Sequence, residues 1–214
     1  MTPPQPVTLD HVRQALRQPL PGLPAQMRMS PRPRPGSERI LDPDLVCRHA
    51  GVLVLLYPHN ARDEDLWLVL TLRSESVAHH RGQISLPGGS QEPGETAMDA
   101  ALRETWEELE VDLGMVEVLG ELSPVYIPRS GFCVHPTVAH AWRRPRFVAF
   151  PGEVAEVIEA PVSLLLTPAT RQEEMWQLHD EPVRVPFYAI GAHKVWGATA
   201  MILAELMAVL EMRI

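Results

Sequence analysis

Three glutamates, Glu104, Glu107 and Glu108, stand at spacings i, i+3 and i+4 in one run of the chain. On a helix these acids share one face. Like charges on neighbouring turns repel, and helix propensity alone does not offset that repulsion. A divalent cation held between them would. Hard cations such as Mg2+ take oxygen ligands, and Mg2+ commonly uses a few carboxylates and leaves other positions to water and substrate phosphate. The predicted chemistry is reaction at phosphate assisted by Mg2+ or Mn2+. The competing reading is a solvated acidic face. Two neighbours in sequence weigh against it: the glycine turn Pro87-Gly88-Gly89, and Arg103, one turn before Glu107 and within reach of Glu95.

The elements that must position these acids follow from periodicity. Met98, Ala101, Leu102, Thr105 and Leu109 fall at helical spacing, with Trp106 at the margin, so a helix over about 95–110 has an apolar face to pack. A short strand at 83–86 enters the glycine turn, and a second turn at Pro93-Gly94 introduces the helix. Further strands are expected at 49–57, 66–73, 115–122, 132–141 and 183–190. A short helical or turn segment is expected at 161–166, and a last helix near 198–212 burying Ala198, Ile202, Leu203, Leu206 and Leu210. Strands and helices mix without regular alternation, which predicts an α/β fold with a mixed sheet between helices. Residues 8–18 read as a short amphipathic helix. Residues 19–36 hold Pro19, Pro21, Pro24, Pro31, Pro33 and Pro35 and read as an extended connector. The expected organisation is residues 1–42 as N-terminal helix and connector, and residues 43–214 as the functional domain.

The 214 residues suffice for one such domain, and 45% hydrophobic with 21% charged residues is the composition of a soluble globular protein. The net charge of −8 includes no basic patch dense enough for nucleic acid; Arg143-Arg144-Pro145-Arg146 reads as a solvated loop. No apolar run reaches membrane-spanning length, and no basic flank precedes an apolar stretch at the N-terminus, so no membrane association and a cytoplasmic location are expected. The two cysteines, Cys47 and Cys133, could pair. Without a disulfide framework, reduced core thiols are the expectation.

The pattern Gly, five residues, Glu, seven residues, Arg-Glu-x-x-Glu-Glu is filled by Gly89, Glu95, Arg103, Glu104, Glu107 and Glu108. It resembles the Nudix box of the pyrophosphohydrolases. Thr105 stands where an aliphatic residue is usual, and Glu110 where the family generally has glycine, which predicts a helix that runs on or ends differently. The resemblance implies a Nudix-type α/β/α sandwich with a mixed β-sheet. It also implies metal held by Glu104, Glu107 and Glu108 with the Gly88 carbonyl, Arg103 orienting the acids, and Glu95 holding Arg103. Glu153 and Glu156 fall where resembling enzymes carry an acidic loop, as a further ligand or base; the alternative is the start of a surface helix.

The stretch before the box is similar to the signature of the coenzyme A pyrophosphatase branch, with Thr71, Arg73, Ser74, Gly82 and Pro87-Gly88-Gly89 matching. Val195-Trp196-Gly197-Ala198-Thr199-Ala200 resembles that branch's C-terminal segment. Ala78 and Leu86 depart from it, where arginine and phenylalanine are common. The similarity implies hydrolysis of coenzyme A or a derivative to 3′,5′-ADP and 4′-phosphopantetheine, with Arg73, Ser74, Arg81 and Gly89 contacting substrate. Arg73 and Arg81 suit phosphate, and equally a local carboxylate or carbonyls. ADP-ribose, NADH or a nucleoside triphosphate are the alternative substrates. A non-catalytic ligand-binding module is the alternative class, against which the complete set of box acids argues. Homodimers are common among the enzymes it resembles.

Overall fold

The two strands expected around residues 49–57 and 66–73 are continuous apolar runs rather than alternating ones, the pattern of strands covered on both faces. The computed structural model, which describes residues 5–34, 44–74, 83–178 and 181–211, shows why. Strand β1 (Arg48–Pro58) is central, flanked by β2 (Leu66–Arg73) and, in parallel, by β7 (Phe132–Ala141). The short β3 (Ile84–Ser85) lies outside β2, and β5 (Val116–Glu121) outside β7. β4 (Gly88–Ser90) pairs with β1, β6 (Val125–Ile127) with β7, and β8 (Val154–Pro161) with β2. Only the β1–β7 pairing is parallel among the described residues, so the sheet is mixed.

Alternation along β1 divides the core. Leu53, Leu55 and Tyr57 face helix α3 (Ala97–Leu109) with Val69, Ala101 and Leu109. Val54 and Leu56 face the other way, with Leu68 and Leu70, onto helix α5 (Gly197–Glu211). Every residue of α5 from Thr199 to Leu210 is buried, the mark of a helix covered all round. Two helical layers enclose a mixed sheet, an α/β/α sandwich as expected. A second, antiparallel sheet of β9 (Arg171–Leu178), β10 (Glu181–Ile190) and β11 (His193–Trp196) follows the short helix α4 (Val162–Leu166) and leads into α5. Strands β4, β6, β8, β9 and β11 go beyond the elements expected from periodicity, and Trp196 closes β11.

Two expectations are corrected. Helix α1 (Leu9–Ala15), capped by the Thr8 side chain, forms as predicted, but residues 19–34 are not simply extended. They form helix α2 (Leu23–Gln26) and a 3-10 turn at Met27–Met29, and they pack on α5. Pro24 permits this because it stands in the first turn, where no intrahelical N–H bond is lost. The expected boundary at residues 42 and 43 lies outside the described residues. The thiols expected to be reduced are joined instead: Cys47 and Cys133 form a disulfide, their Cα atoms 5.8 Å apart. The β1–β7 register places His49 opposite Cys133, so Cys47, two residues earlier, comes to the same face of the next strand.

Candidate metal centre

Helix α3 begins at a capping box. Thr96 accepts from the Asp99 amide at 3.1 Å, and Asp99 accepts from the Thr96 amide at 2.9 Å. Its docking onto β1 requires glycine at Gly51, where a Cβ would overlap the Ala97 carbonyl. The turn that approaches the helix requires it again. A Cβ on Gly88, whose φ is +149°, would overlap the backbone of Gly51 and Val52, and one on Gly89 would overlap the Glu104 carboxylate. The Leu53 amide donates to the Pro87 carbonyl at 2.9 Å and fixes the turn to the central strand.

On this platform, oxygens of Glu104, Glu108 and Glu153 converge to within 4.8 Å of one another. Glu153 arrives from the turn before β8. That turn is held by α3 itself: the terminal carbonyls of Glu108 and Leu109 accept from the amides of Phe150 and Val148, both at 2.9 Å. The Ser74 amide donates to the Glu153 carbonyl at 2.8 Å and ties the turn to the end of β2. Glu108 is only 2% exposed. It accepts from the Gly88 amide at 3.3 Å and lies 3.5 Å from the Arg73 guanidinium. Burial pushes its carboxyl up to about 7, reinforced by Glu104 and Glu153 and opposed by Arg73 and Gly88. Burial raises Glu104 as well, with Glu107 and Glu153 adding to the shift against the opposing pull of Arg103.

Arg103 organises the outer side of the cluster. It donates to both oxygens of Glu95 at 2.7 and 3.1 Å, to Glu104 at 2.9 Å, to Glu107 at 3.0 Å and to the Ser90 carbonyl at 3.1 Å. The Arg103 hydrogen bonds draw the Glu95 carboxyl below its usual range. A guanidinium fork satisfying three carboxylates is an arrangement lysine could not reproduce.

The sequence-derived residues divide. Glu104, Glu108 and Glu153 come together, with Gly88, Gly89 and Arg73 beside them. Gly88 touches the cluster through its amide, where its carbonyl was expected. Glu107 is turned outward to Arg103 and half exposed, because an i+3 and an i+4 side chain diverge across the face. Glu156 is apart: it lies within β8, three residues beyond Glu153, and pairs with His193 at 3.2 Å. Arg73 meets the carboxylate Glu108, one of its two expected roles. Arg81 lies outside the described residues, as do Ala78 and Gly82. Gly51 was missed, since a lone glycine in a strand carries no signal of what approaches it.

A Nudix domain matches residues 48–179. The chain is 34% identical over 160 residues to the uncharacterized Nudix hydrolase NudL of Photorhabdus laumondii, covering 74% of this chain and 83% of that protein. It is 34% identical over 176 residues to the mouse mitochondrial coenzyme A diphosphatase NUDT8, covering 80% of this chain and 76% of that one. Identity is 39% over 120 residues to the peroxisomal coenzyme A diphosphatase ndx-8 of Caenorhabditis elegans, covering 55% of this chain and only half of that protein. With the domain match spanning more than half the sequence and Glu104, Glu107 and Glu108 of the box on one helix, this chain belongs to the Nudix hydrolase family, on the side of its coenzyme A pyrophosphatase-like branch.

Proposed function

We propose that this Nudix pyrophosphohydrolase cleaves the pyrophosphate bond of coenzyme A or a close derivative, with Mg2+ or Mn2+ as cofactor, to give 3′,5′-ADP and 4′-phosphopantetheine or its acyl form. The observation that carries the reading is the convergence of Glu104, Glu108 and Glu153 beside the glycine turn. Their donor set is oxygen only, which suits a hard cation. The cluster also fits on energetic grounds: burial, with Glu104 and Glu153 beside it, raises the Glu108 carboxyl to about 7, and a bound cation would offset that cost of ionising it.

Glu104, Glu108 and Glu153 would hold the ion, with Glu107 available from the outer side. When bound, a divalent cation neutralises phosphate charge and acidifies a water. The residues do the rest. Arg103, fixed by Glu95 and the Ser90 carbonyl, holds Glu104 and Glu107 in orientation. Glu153 or another carboxylate of the cluster takes the proton of the attacking water. Glycine at Gly89 leaves room for the Glu104 carboxylate, and Arg73 and Ser74, at the end of β2, are the residues that would contact the phosphate. Glu156, committed to His193, has no part in this scheme.

The substrate class is supported by the Thr71–Gly89 signature and by the names of NUDT8 and ndx-8. The cytosol is the compartment we infer, although those two relatives are named for mitochondria and peroxisomes. The test is a panel of coenzyme A, ADP-ribose, NADH and a nucleoside triphosphate with each metal, both products being identified. Coenzyme A should turn over fastest. Faster cleavage of ADP-ribose would overturn the substrate, and tight binding without any product would overturn hydrolysis.

A further inference from the structure

We propose that Cys47, His49, Cys133 and His135 form a second metal site, for a divalent ion of the zinc class, which opens when the Cys47–Cys133 disulfide is reduced. The topology assembles it. In the parallel β1–β7 pairing His49 is opposite Cys133 and Gly51 opposite His135. Alternation then places Cys47 and His49, and Cys133 and His135, on one face of two adjacent strands. The chain carries Cys-x-His twice, and the register brings the two copies side by side.

The imidazoles are already poised. Nδ1 of His49 and Nε2 of His135 are 2.9 Å apart, sharing one proton between two nitrogens. Tetrahedral zinc with bonds of about 2.0–2.1 Å spaces two nitrogen ligands about 3.3 Å apart, so a small opening of the pair admits the ion in place of that proton. His49 is exposed, and His135 and both cysteines are half-buried, so solvent reaches the group. Arg48, between Cys47 and His49, projects to the opposite face, where its guanidinium lies 4.2 Å over the Phe132 ring. Glu121 adds negative potential at His135. Imidazole and thiolate ligands select zinc-like ions, whereas the oxygen-only cluster selects hard ones, so the two sites do not compete.

With the disulfide closed, the sulfurs are committed to each other and only the imidazole pair is available. A dithiol reductant delivers two electrons and two protons, becoming a disulfide itself and leaving two thiols. Metal binding then releases the two thiol protons, since thiolates are the ligands, while each imidazole binds as the neutral ring with its proton on the other nitrogen. Two thiolates on one zinc lie about 3.8 Å apart, a separation that side-chain rotation reaches from Cα atoms 5.8 Å apart.

The probe is Co2+, added to the full chain in saturating Mg2+ after dithiol reduction and anaerobic desalting. One equivalent should produce tetrahedral visible bands and a sulfur-to-cobalt charge-transfer band, both removed by Zn2+. The unreduced protein should lack the charge-transfer band. Cys47→Ser with Cys133→Ser should lose it too, and His49→Ala with His135→Ala should weaken Co2+ binding at least 100-fold. Glu108→Gln should leave all bands in place. Absence of the bands from reduced wild type, their survival in the double histidine variant, or their loss in Glu108→Gln would overturn the site and leave a disulfide staple only.

Discussion

Glu108 concentrates the conflict on which the candidate centre rests. It stands on α3 among residues that pack inward, between Thr105 and Leu109, yet it is an acid. Its folded-state carboxyl is raised from the ordinary 4.5 to about 7, so the protein prefers it protonated unless a cation is present. The consequence for stability has a definite sign. The favourable contribution is full below pH 4.5 and is lost as the pH rises through 7; across that span the difference is about 3 kcal/mol. Metal-free protein should therefore melt at lower temperature at pH 8 than at pH 5, and Mg2+ or Mn2+ should remove much of the difference. Glu108→Gln should flatten the pH dependence without metal and cut turnover at least about 100-fold, in line with losses seen around metal ligands. Calorimetry at the two pH values, with and without ion, checks the first. A metal-free wild type whose melting temperature is independent of pH would contradict it.

At the scale of elements, the end of α3 shows how a departure from the family pattern is absorbed. Glu110, where glycine is usual, adopts the left-handed conformation itself, with φ +53°, and closes the helix with its amide on the Trp106 carbonyl at 2.7 Å. The helix neither runs on nor ends elsewhere, because the Val148 and Phe150 amides claim the next carbonyls and bring Glu153 with them. A non-glycine residue in this conformation costs about 1–2 kcal/mol, part of which glycine's greater unfolded-state freedom cancels. Glu110→Gly should stabilise by about 1 kcal/mol, visible as a rise of about 2–4 °C in melting temperature with activity unchanged. A fall would mean that the Glu110 side chain contributes more than its backbone costs. The same element marks how far a sequence can be read. The box helix, its inward stripe, the glycine turn and the strands that became β1, β2 and β7 were legible because each depends on spacing within one segment. The division between Glu107 and Glu108, the approach to Gly51 and the disulfide were not, because each depends on which segments lie alongside. Glu153 was legible as a candidate, but only the hydrogen bonds from its turn to α3 separate it from Glu156.

Across the whole molecule, α5 connects the ends of the chain to the site. Near its start, the Thr199 hydroxyl donates to the Ile84 carbonyl at 3.1 Å, on the strand that enters the glycine turn. Midway, Glu205 is fully buried; it accepts from the Gly22 amide at 3.0 Å, the Gln26 side chain at 2.8 Å and the Ser123 amide at 3.2 Å. One carboxylate thus fastens the N-terminal segment and the turn before β6 to the last helix. The Arg32 and Arg184 backbones exchange two further bonds of 2.9 Å, joining the same segment to β10. On this geometry residues 5–34 are fastened to α5 and β10 rather than extended away from them. Glu205→Ala would take the acceptor from three donors, each costing about 1–3 kcal/mol where water does not replace it, so a loss of about 3 kcal/mol is expected. The melting temperature should fall by about 6–12 °C, and limited proteolysis should first cut within the N-terminal segment. KM of the still-folded fraction should stay within a few-fold of wild type, since Glu205 touches neither the carboxylate cluster nor the glycine turn. Unchanged stability together with an N-terminal segment still protected from protease would show that the segment is held by its apolar contacts, Val7, Val12, Ala15 and Met29, rather than by the buried acid.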